Sequence, residues 1–257
     1  MEFNAGGKVT PKIFVGTMHT CEGDLETSLL HVQRQKGVVV THYLVSGLKE
    51  KEAHNALWKA WRDGKNGHDL FVKVDADTVL SSPTTLAEIY ELFHRNTRVT
   101  GLQAPLHDYM TNDFINGLNA FSPRVTFNDT QDELYCDRKV DVDHDIVLRG
   151  DDLPNSLRPA GLHCHYANEK QAFHYGVHRA LKGQTVVLNK VHNAFVTHHH
   201  ETQNRVRGFA LIGSQFSTKF MHNRKFNYTD VEFLDAFEEA KQHYDELTND
   251  RAFGGLD

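Results

Sequence analysis

The chain has 257 residues, 39% of them hydrophobic and 24% charged, with a formal net charge of -6. This fits one large α/β domain, or a domain with a helical appendage, long enough to bury a core. The acid excess and the lack of a basic stripe argue against binding through the nucleic-acid backbone and leave nucleotide-sized partners open, and no stretch approaches the roughly 20 apolar residues of a membrane span. The opening residues, MEFNAGGKVTPKIF, have neither the positive region nor the apolar run of a signal peptide. Cys21, Cys136 and Cys164 are odd in number and far apart, which suits reduced thiols and a cytoplasmic location. Eighteen histidines direct attention to metal or proton chemistry.

In chain order, residues 12–16 (KIFVG) predict a short apolar strand. The polar turn 17–23 (TMHTCEG) leads into a helix with Leu25, Leu29 and Val32 on one face. Residues 38–45 (VVVTHYLV) are a second strand. Residues 52–62 (EAHNALWKAWR) predict an amphipathic helix burying Ala53, Ala56, Leu57, Ala60 and Trp61, and Gly64 and Gly67 end it. Next comes the stretch that organises the rest, residues 69–80 (DLFVKVDADTVL). Leu70, Phe71, Val72 and Val74 read as a strand buried on both faces. Asp75 and Asp77 follow at its carboxyl end, where open α/β sheets bind ligands, and extended geometry would send both carboxylates the same way. Two hard oxygen ligands there suit Mg2+ or Mn2+ together with substrate phosphate. Ser82 and Pro83 predict an N-cap and first helical position for a helix burying Leu86, Ile89, Tyr90 and Phe93. Strands alternating with helices imply a mostly parallel sheet.

Further on, residues 99–104 predict a strand, 107–117 a polar, aromatic-containing loop that is an ordinary surface loop or part of a ligand site, and 118–121 a short strand. Residues 140–148 (VDVDHDIVL) place Asp141, Asp143 and Asp145 at EF-hand spacing. Ile146 stands where that loop needs Gly and Asp152 where it needs Glu, so an alternating strand fits better. His163 and His165 (LHCH) form a possible metal pair or a polar strand face. Residues 169–182 predict a helix burying Phe173, Val177, Ala180 and Leu181 and closed by Gly183; its His174 and His178 have a zinc-capable i, i+4 spacing. A strand over 185–188 and a second apolar run over 194–196 follow. Thr229 and Glu232 form a capping box for a final helix with Phe233, Leu234, Phe237, Ala240, Tyr244 and Leu247 inward. There is no Gly-x-Gly-x-x-Gly after the first strand and no P-loop, which removes dinucleotide enzymes and P-loop NTPases and leaves a metal to hold any phosphates.

The order strand, polar turn, helix, strand, the AHNALWKAW helix, then DLFVKVDADTVL resembles the nucleotide-sugar-binding half of GT-A glycosyltransferases, most closely the large inverting family 2. The resemblance covers roughly residues 10–200. It implies an α/β, Rossmann-like GT-A domain over 1–228, with a nucleotide-sugar half at about 10–105, an acceptor half at about 106–200, and a C-terminal helical extension over 229–257. By resemblance, Thr17, Met18 and Glu22 lie near the donor base, and His54, Asn55 and Lys59 approach its ribose or phosphate. Asp75, Ala76 and Asp77 form the Asp-x-Asp motif. His198 is the third metal ligand beside Asp75 and Asp77, with His199 and His200 as near alternatives. Arg205 or Arg207 neutralises the diphosphate. Trp58 and Lys59 stand where family 2 usually has arginine, and Asn168, Glu169 and Lys170 where it has paired acids. Glu169 is the first candidate for the base and Asp152 the second.

The expectation is therefore a metal-dependent transferase, using Mn2+ or Mg2+, that moves a sugar from a UDP- or GDP-linked donor to a glycan or other hydroxyl. Family 2 implies inversion; the residues leave stereochemistry, sugar, acceptor and oligomeric state open. A metal-dependent nucleotidyltransferase or phosphohydrolase acting on a nucleotide sugar, and a non-catalytic metal- or nucleotide-binding protein, are the alternatives.

Overall fold

The structure, a computed structural model, describes residues 10–20, 22–136, 140–141, 146–201, 203–222 and 226–249. Cys21, Asp143 and Asp145, singled out in the sequence, lie outside them. Two compact units divide the chain: Met1–Tyr109 with Asp113–Tyr166, and Met110–Asn112 with Ala167–Asp257.

The first unit is an α/β layer structure. Its strands are β1 (Lys12–His19), β2 (Val39–Ser46), β3 (Leu70–Lys73), β4 (Thr78–Leu80), β5 (Val99–Asp108), β6 (Asp113–Phe121), β7 (Thr126–Phe127), β8 (Val140–Asp141), β9 (Ile146–Arg149) and β10 (Gly161–His163). Its helices are α1 (Leu25–Gln33), α2 (Glu50–Gly64) and α3 (Thr85–Arg95). The main sheet runs β2-β1-β3-β6-β5-β10-β4, with β9 also on β5. β1 pairs in parallel with β2 and β3, and β5 with β9 and β10, while β6 runs antiparallel between β3 and β5. The expected α/β class with a parallel core is what the chain adopts.

Leu70, Phe71, Val72 and Val74 are fully buried, as an apolar run in a sheet covered on both faces requires. α2 buries Ala53, Leu57 and Trp61 as its periodicity predicts, but also His54 and Trp58. The extra burial comes from β7, whose Phe127 stacks on Trp58 at 4.2 Å. That cover arrives from about 70 residues away in the chain, out of reach of any helical repeat.

Three local expectations are corrected. Residues 107–117 are not a loop: β5 continues to Asp108 and β6 begins at Asp113, so the polar side chains there alternate along a hairpin. Within residues 140–148, of which 142–145 lie outside the described residues, β8 pairs with β7 and β9 with β5, in two different sheets. Ser82 and Pro83 precede a turn, and α3 starts at Thr85 with Thr84 in the capping position.

The second unit is helical: α4 (Glu169–Leu181), α5 (Thr185–Thr197), α6 (Asn204–Phe216) and α7 (Val231–Asn249). Asn168 caps α4 by accepting from the Gln171 N–H at 2.9 Å, and Gly183 closes it at φ 65°. The strand expected over 185–188 and the apolar run over 194–196 are instead one helix, α5. Val191 and Ala194 recur at helical spacing and are buried, and that periodic face outweighs the β propensity of Val186 and Val187. α7 buries Phe233, Phe237, Ala240 and Tyr244. No helix among the described residues is long and apolar enough to cross a membrane.

α4 and α6 touch backbone to backbone at two glycines. A Cβ on Gly176 would stand 1.8 Å from the Ala210 carbonyl oxygen, and one on Gly213 would stand 2.1 Å from that of Phe173. Neither oxygen can swing away as a side chain does, so each alanine substitution forces the helices apart at a cost of about 1–3 kcal/mol. At about 4–8 °C per kcal/mol for a unit of this size, differential scanning calorimetry of Gly176→Ala and Gly213→Ala shows clearly lowered melting. Gly67→Ala, with nothing within 4 Å of its Cβ, melts like the parent.

Candidate metal and donor site

The site forms where strand ends meet in the first unit. β10 runs parallel to β5 and antiparallel to β4, with His163 in register with both Asp108 and Thr78. The last residue of β5, the last of β10 and the residue before β4 are thereby set side by side: Asp108, His163 and Asp77. His163 Nδ1 lies 2.6 Å from Asp108 Oδ1. A carboxylate accepts, so Nδ1 carries the proton and Nε2 presents its lone pair to the other side. There it meets Asp77 Oδ2 at 3.5 Å and Cys164 Sγ at 3.8 Å, and Sγ lies 3.4 Å from the same Asp77 oxygen.

These separations suit a shared cation. Zinc-type bonds of about 2.0–2.3 Å at tetrahedral angles place ligand atoms roughly 3.3–3.6 Å apart. The backbone has been bent to bring the thiol in. Cys164 has φ 54°, a left-handed conformation costing a non-glycine residue about 1–2 kcal/mol. Its N–H donates to the Asp77 carbonyl at 2.9 Å, so the turn is tied to the residue it serves.

Two further acids crowd the cluster. Asp24, fully buried before α1, accepts from the Tyr166 N–H at 2.7 Å through Oδ1, while its buried Oδ2 meets no hydrogen-bond partner among the described residues. Burial pushes its pKa up to about 6, partly offset by the Tyr166 N–H; the Asp77 charge adds to the rise and His163 opposes it. Glu22 is raised chiefly by burial, against hydrogen bonds from Thr20, with the Asp77 charge contributing. The Cys164 thiol is held well above its usual range by burial, then by the charges of Asp77, Asp108 and Asp24. Anionic groups that raise one another's pKa around an unsatisfied buried oxygen are what a divalent cation relieves. The three groups can hold a divalent cation, and the thiol and imidazole suit Zn2+ or Co2+ better than the expected Mg2+ or Mn2+.

The two aspartates take different partners. β3 ends at Lys73, so the two-residue alternation stops before Asp75 is reached, and a turn with Thr78 N–H on the Asp75 carbonyl intervenes. Asp75 pairs with buried Lys73. Burial raises its pKa, but the charge and hydrogen bond of Lys73, with His54 and His163, outweigh that and leave it lowered. Ala76 is buried between the two acids.

The other expected donor contacts have structural partners. Thr17 is buried, its hydroxyl donating to the Val74 carbonyl at 2.8 Å and lying 3.0 Å from His42 Nε2, which ties β1 to the chain leaving β3. Met18 packs on the aromatic core around Phe14 and Trp61. Glu22 holds the turn through the Thr20 N–H and hydroxyl. His54 Nδ1 lies 2.8 Å from the Glu50 carbonyl oxygen. Asn55 clamps Thr130 through both amide atoms. Lys59 is exposed and pairs with Asp63 at 2.5 Å. Asp152 caps its own turn through the Arg149 N–H.

In the second unit, Glu169 and Arg205 pair at 2.5 Å, with the guanidinium over the Tyr244 ring at 4.5 Å. Buried Arg207 pairs with Glu201, whose other oxygen holds His198 Nδ1 at 2.9 Å. His198 Nε2 lies 2.9 Å from Asn112 Nδ2. His199 packs beside His200, their ring centroids 5.6 Å apart. His165 packs edge-on to Tyr166 and does not join His163 at the cluster.

Asp24, Asp108 and Cys164 were missed in the sequence, and His163 was weighed only with His165. One signal was present: strand-end acids are candidates wherever parallel strands end, which would have included Asp108 had β5 been carried to its full length.

His163 depends on Asp108 for its tautomer. Asp108→Asn removes the charge that favours Nδ1–H, and isothermal titration of Mn2+ or Zn2+ is expected to show affinity weakened about 10–100-fold with the fold retained.

No protein-family model and no curated protein sequence matches the chain. Among solved structures, a mannosyltransferase from Pyrobaculum calidifontis, determined in complex with GDP-Man and Mn2+, matches 97% of this chain and 81% of its own length, at TM-score 0.41 and 11% identity. A glycosyltransferase involved in glycosylation of the major capsid of PBCV-1 matches 44% of this chain and 60% of its own, at TM-score 0.28 and 11% identity. Both likenesses are loose, and nothing about substrate or metal follows from them.

Proposed function

We propose that the chain is a metal-dependent glycosyltransferase that moves a sugar from a nucleoside-diphosphate sugar to a hydroxyl of a glycan or other acceptor. The observation that carries this reading is the convergence of Asp77, His163 and Cys164 at the end of a parallel-core sheet, 3.4–3.8 Å apart and backed by Asp108. The residue order around it, a strand, a polar turn with Glu22, and a third strand followed by acids, resembles that of a nucleotide-sugar site. Asp77, His163 and Cys164 would hold the cation, which when bound neutralises the charge growing on the departing nucleoside diphosphate. Asp108 fixes the imidazole, and Lys73 keeps Asp75 ionised and oriented. Glu169 is our candidate for taking the acceptor proton, with Arg205 holding its carboxylate; Asp152 is the second candidate.

Calorimetric titration of UDP, GDP and their sugar derivatives, with Mn2+ or with chelator, tests the reading. Metal-dependent binding of one nucleotide, with release of the intact nucleoside diphosphate in the presence of acceptor, supports it. Absence of binding with the fold intact overturns it. A second reading draws on the ligand count: three protein ligands leave the fourth position of a tetrahedral zinc centre open to water. On that reading, water would cleave the diphosphate itself and yield a sugar phosphate, which product chromatography separates from transfer.

A further inference from the structure

Among the described residues a second set of potential ligands lies in the first unit, made of other side chains. Glu50, His54 and Cys136 each offer one ligand atom, all within 4.8 Å of one another. Glu50 and His54 stand one turn apart on α2, a spacing that puts both on one face. The Glu50 carbonyl oxygen 2.8 Å from His54 Nδ1 can only accept, so Nδ1 carries the proton and Nε2 the lone pair a metal needs. His54 is 3% exposed and Cys136 1%, which leaves no room for a substrate at those two atoms.

Cys136 belongs to the irregular segment after β7, and that segment is already applied to α2. Asn55 exchanges hydrogen bonds with the Thr130 N–H and carbonyl at 2.8 and 3.1 Å. Lys51 pairs with Glu133 at 2.5 Å, and Arg62 reaches both the Phe127 carbonyl at 2.6 Å and Asp129 at 2.8 Å. The mixture of thiol, imidazole and carboxylate suits a borderline-soft divalent cation and not Mg2+ or Ca2+. We propose that Glu50, His54 and Cys136 form a structural site for zinc or a zinc-like cation that clamps the 128–136 segment onto α2. Closing a connection of this length by a metal–ligand bond restrains the unfolded chain as a cross-link does, so the cation stabilises the unit.

Cobalt titration of the metal-stripped chain tests this, because thiolate ligation gives a charge-transfer absorption. The parent is expected to show two thiolate–cobalt contributions, one lost in Cys136→Ser and the other in Cys164→Ser, which separates this site from the proposed donor site. Zinc at about 100 times its dissociation constant should raise the parent's Tm by about 5–10 °C. That rise should be smaller in Cys136→Ser and in Glu50→Gln, leaving only what zinc at the Asp77 site contributes; Glu50→Gln keeps the packing and serves if Cys136→Ser does not fold. The proposal is overturned if Cys136→Ser keeps the parent's full cobalt absorption, if the parent's absorption is lost entirely in Cys164→Ser, or if zinc raises the Tm of Glu50→Gln as much as the parent's.

Discussion

Asp77→Ala is expected to abolish the metal-linked part of nucleotide binding, with affinity in Mn2+ falling at least about 100-fold, since loss of a ligand exceeds the 10–100-fold cost of losing its support. The argument is geometric. Asp77 Oδ2 is the atom that both Cys164 Sγ and His163 Nε2 approach, at 3.4 and 3.5 Å. Removing it leaves an imidazole and a buried thiol with no anionic ligand between them. Folding should not suffer, because the Asp77 charge raises the pKa of both Asp24 and Glu22 and its removal relieves that repulsion. Titration of the nucleotide with and without chelator, on parent and variant, reads the effect. Asp77→Asn keeps the volume and isolates the charge. A variant that binds the nucleotide with the parent's metal dependence would sink the donor-site reading.

The second large effect is acid lability of the helical unit. His174 lies among Phe226, Tyr228 and Phe233, with ring centroids 5.1, 4.3 and 5.7 Å away. Burial, with a smaller contribution from Lys182, takes its pKa down to about 3. His178 is lowered well below its usual value by burial, then by Lys182, His174 and Arg179. Both folded values lie below the unfolded one, about 6.5, so the unfolded state binds protons first. The stabilisation is therefore complete above that pH and drains as pH falls towards the folded values. The steepest loss is about 1.4 kcal/mol per pH unit for each histidine, large against a total stability of about 5–15 kcal/mol. Thermal melts from pH 7.5 to 4.5 should show the unit losing stability steeply below pH 6.5, and His174→Phe should roughly halve the slope. Equal slopes in parent and variant would assign the acid sensitivity elsewhere.

The i, i+4 spacing of His174 and His178 illustrates what a pattern alone leaves open. Spacing puts two imidazoles on one helical face, but whether that face meets a cation or a wall of aromatic rings depends on α7 and the chain before it. Here it meets the rings. His54 shows the reverse: a helix position read as a donor contact is sealed under a segment whose contact with α2 arises only on folding.

The alternation of strands and helices up to β3, that buried third strand and the acids that follow it were legible in the residues, because hydrophobic periodicity and strand-end chemistry are local properties that act over one element. The helix over 169–182, with its Asn168 cap and Gly183 stop, was legible for the same reason. The partners of Asp77 were not. Asp108, His163 and Cys164 are brought to it by strand register and by one left-handed residue, and Asp24 is held before α1 by the Tyr166 N–H. Register is set by pairing between segments tens of residues apart, so only the tertiary structure decided that Asp77 meets an imidazole and a thiol while Asp75 turns to Lys73.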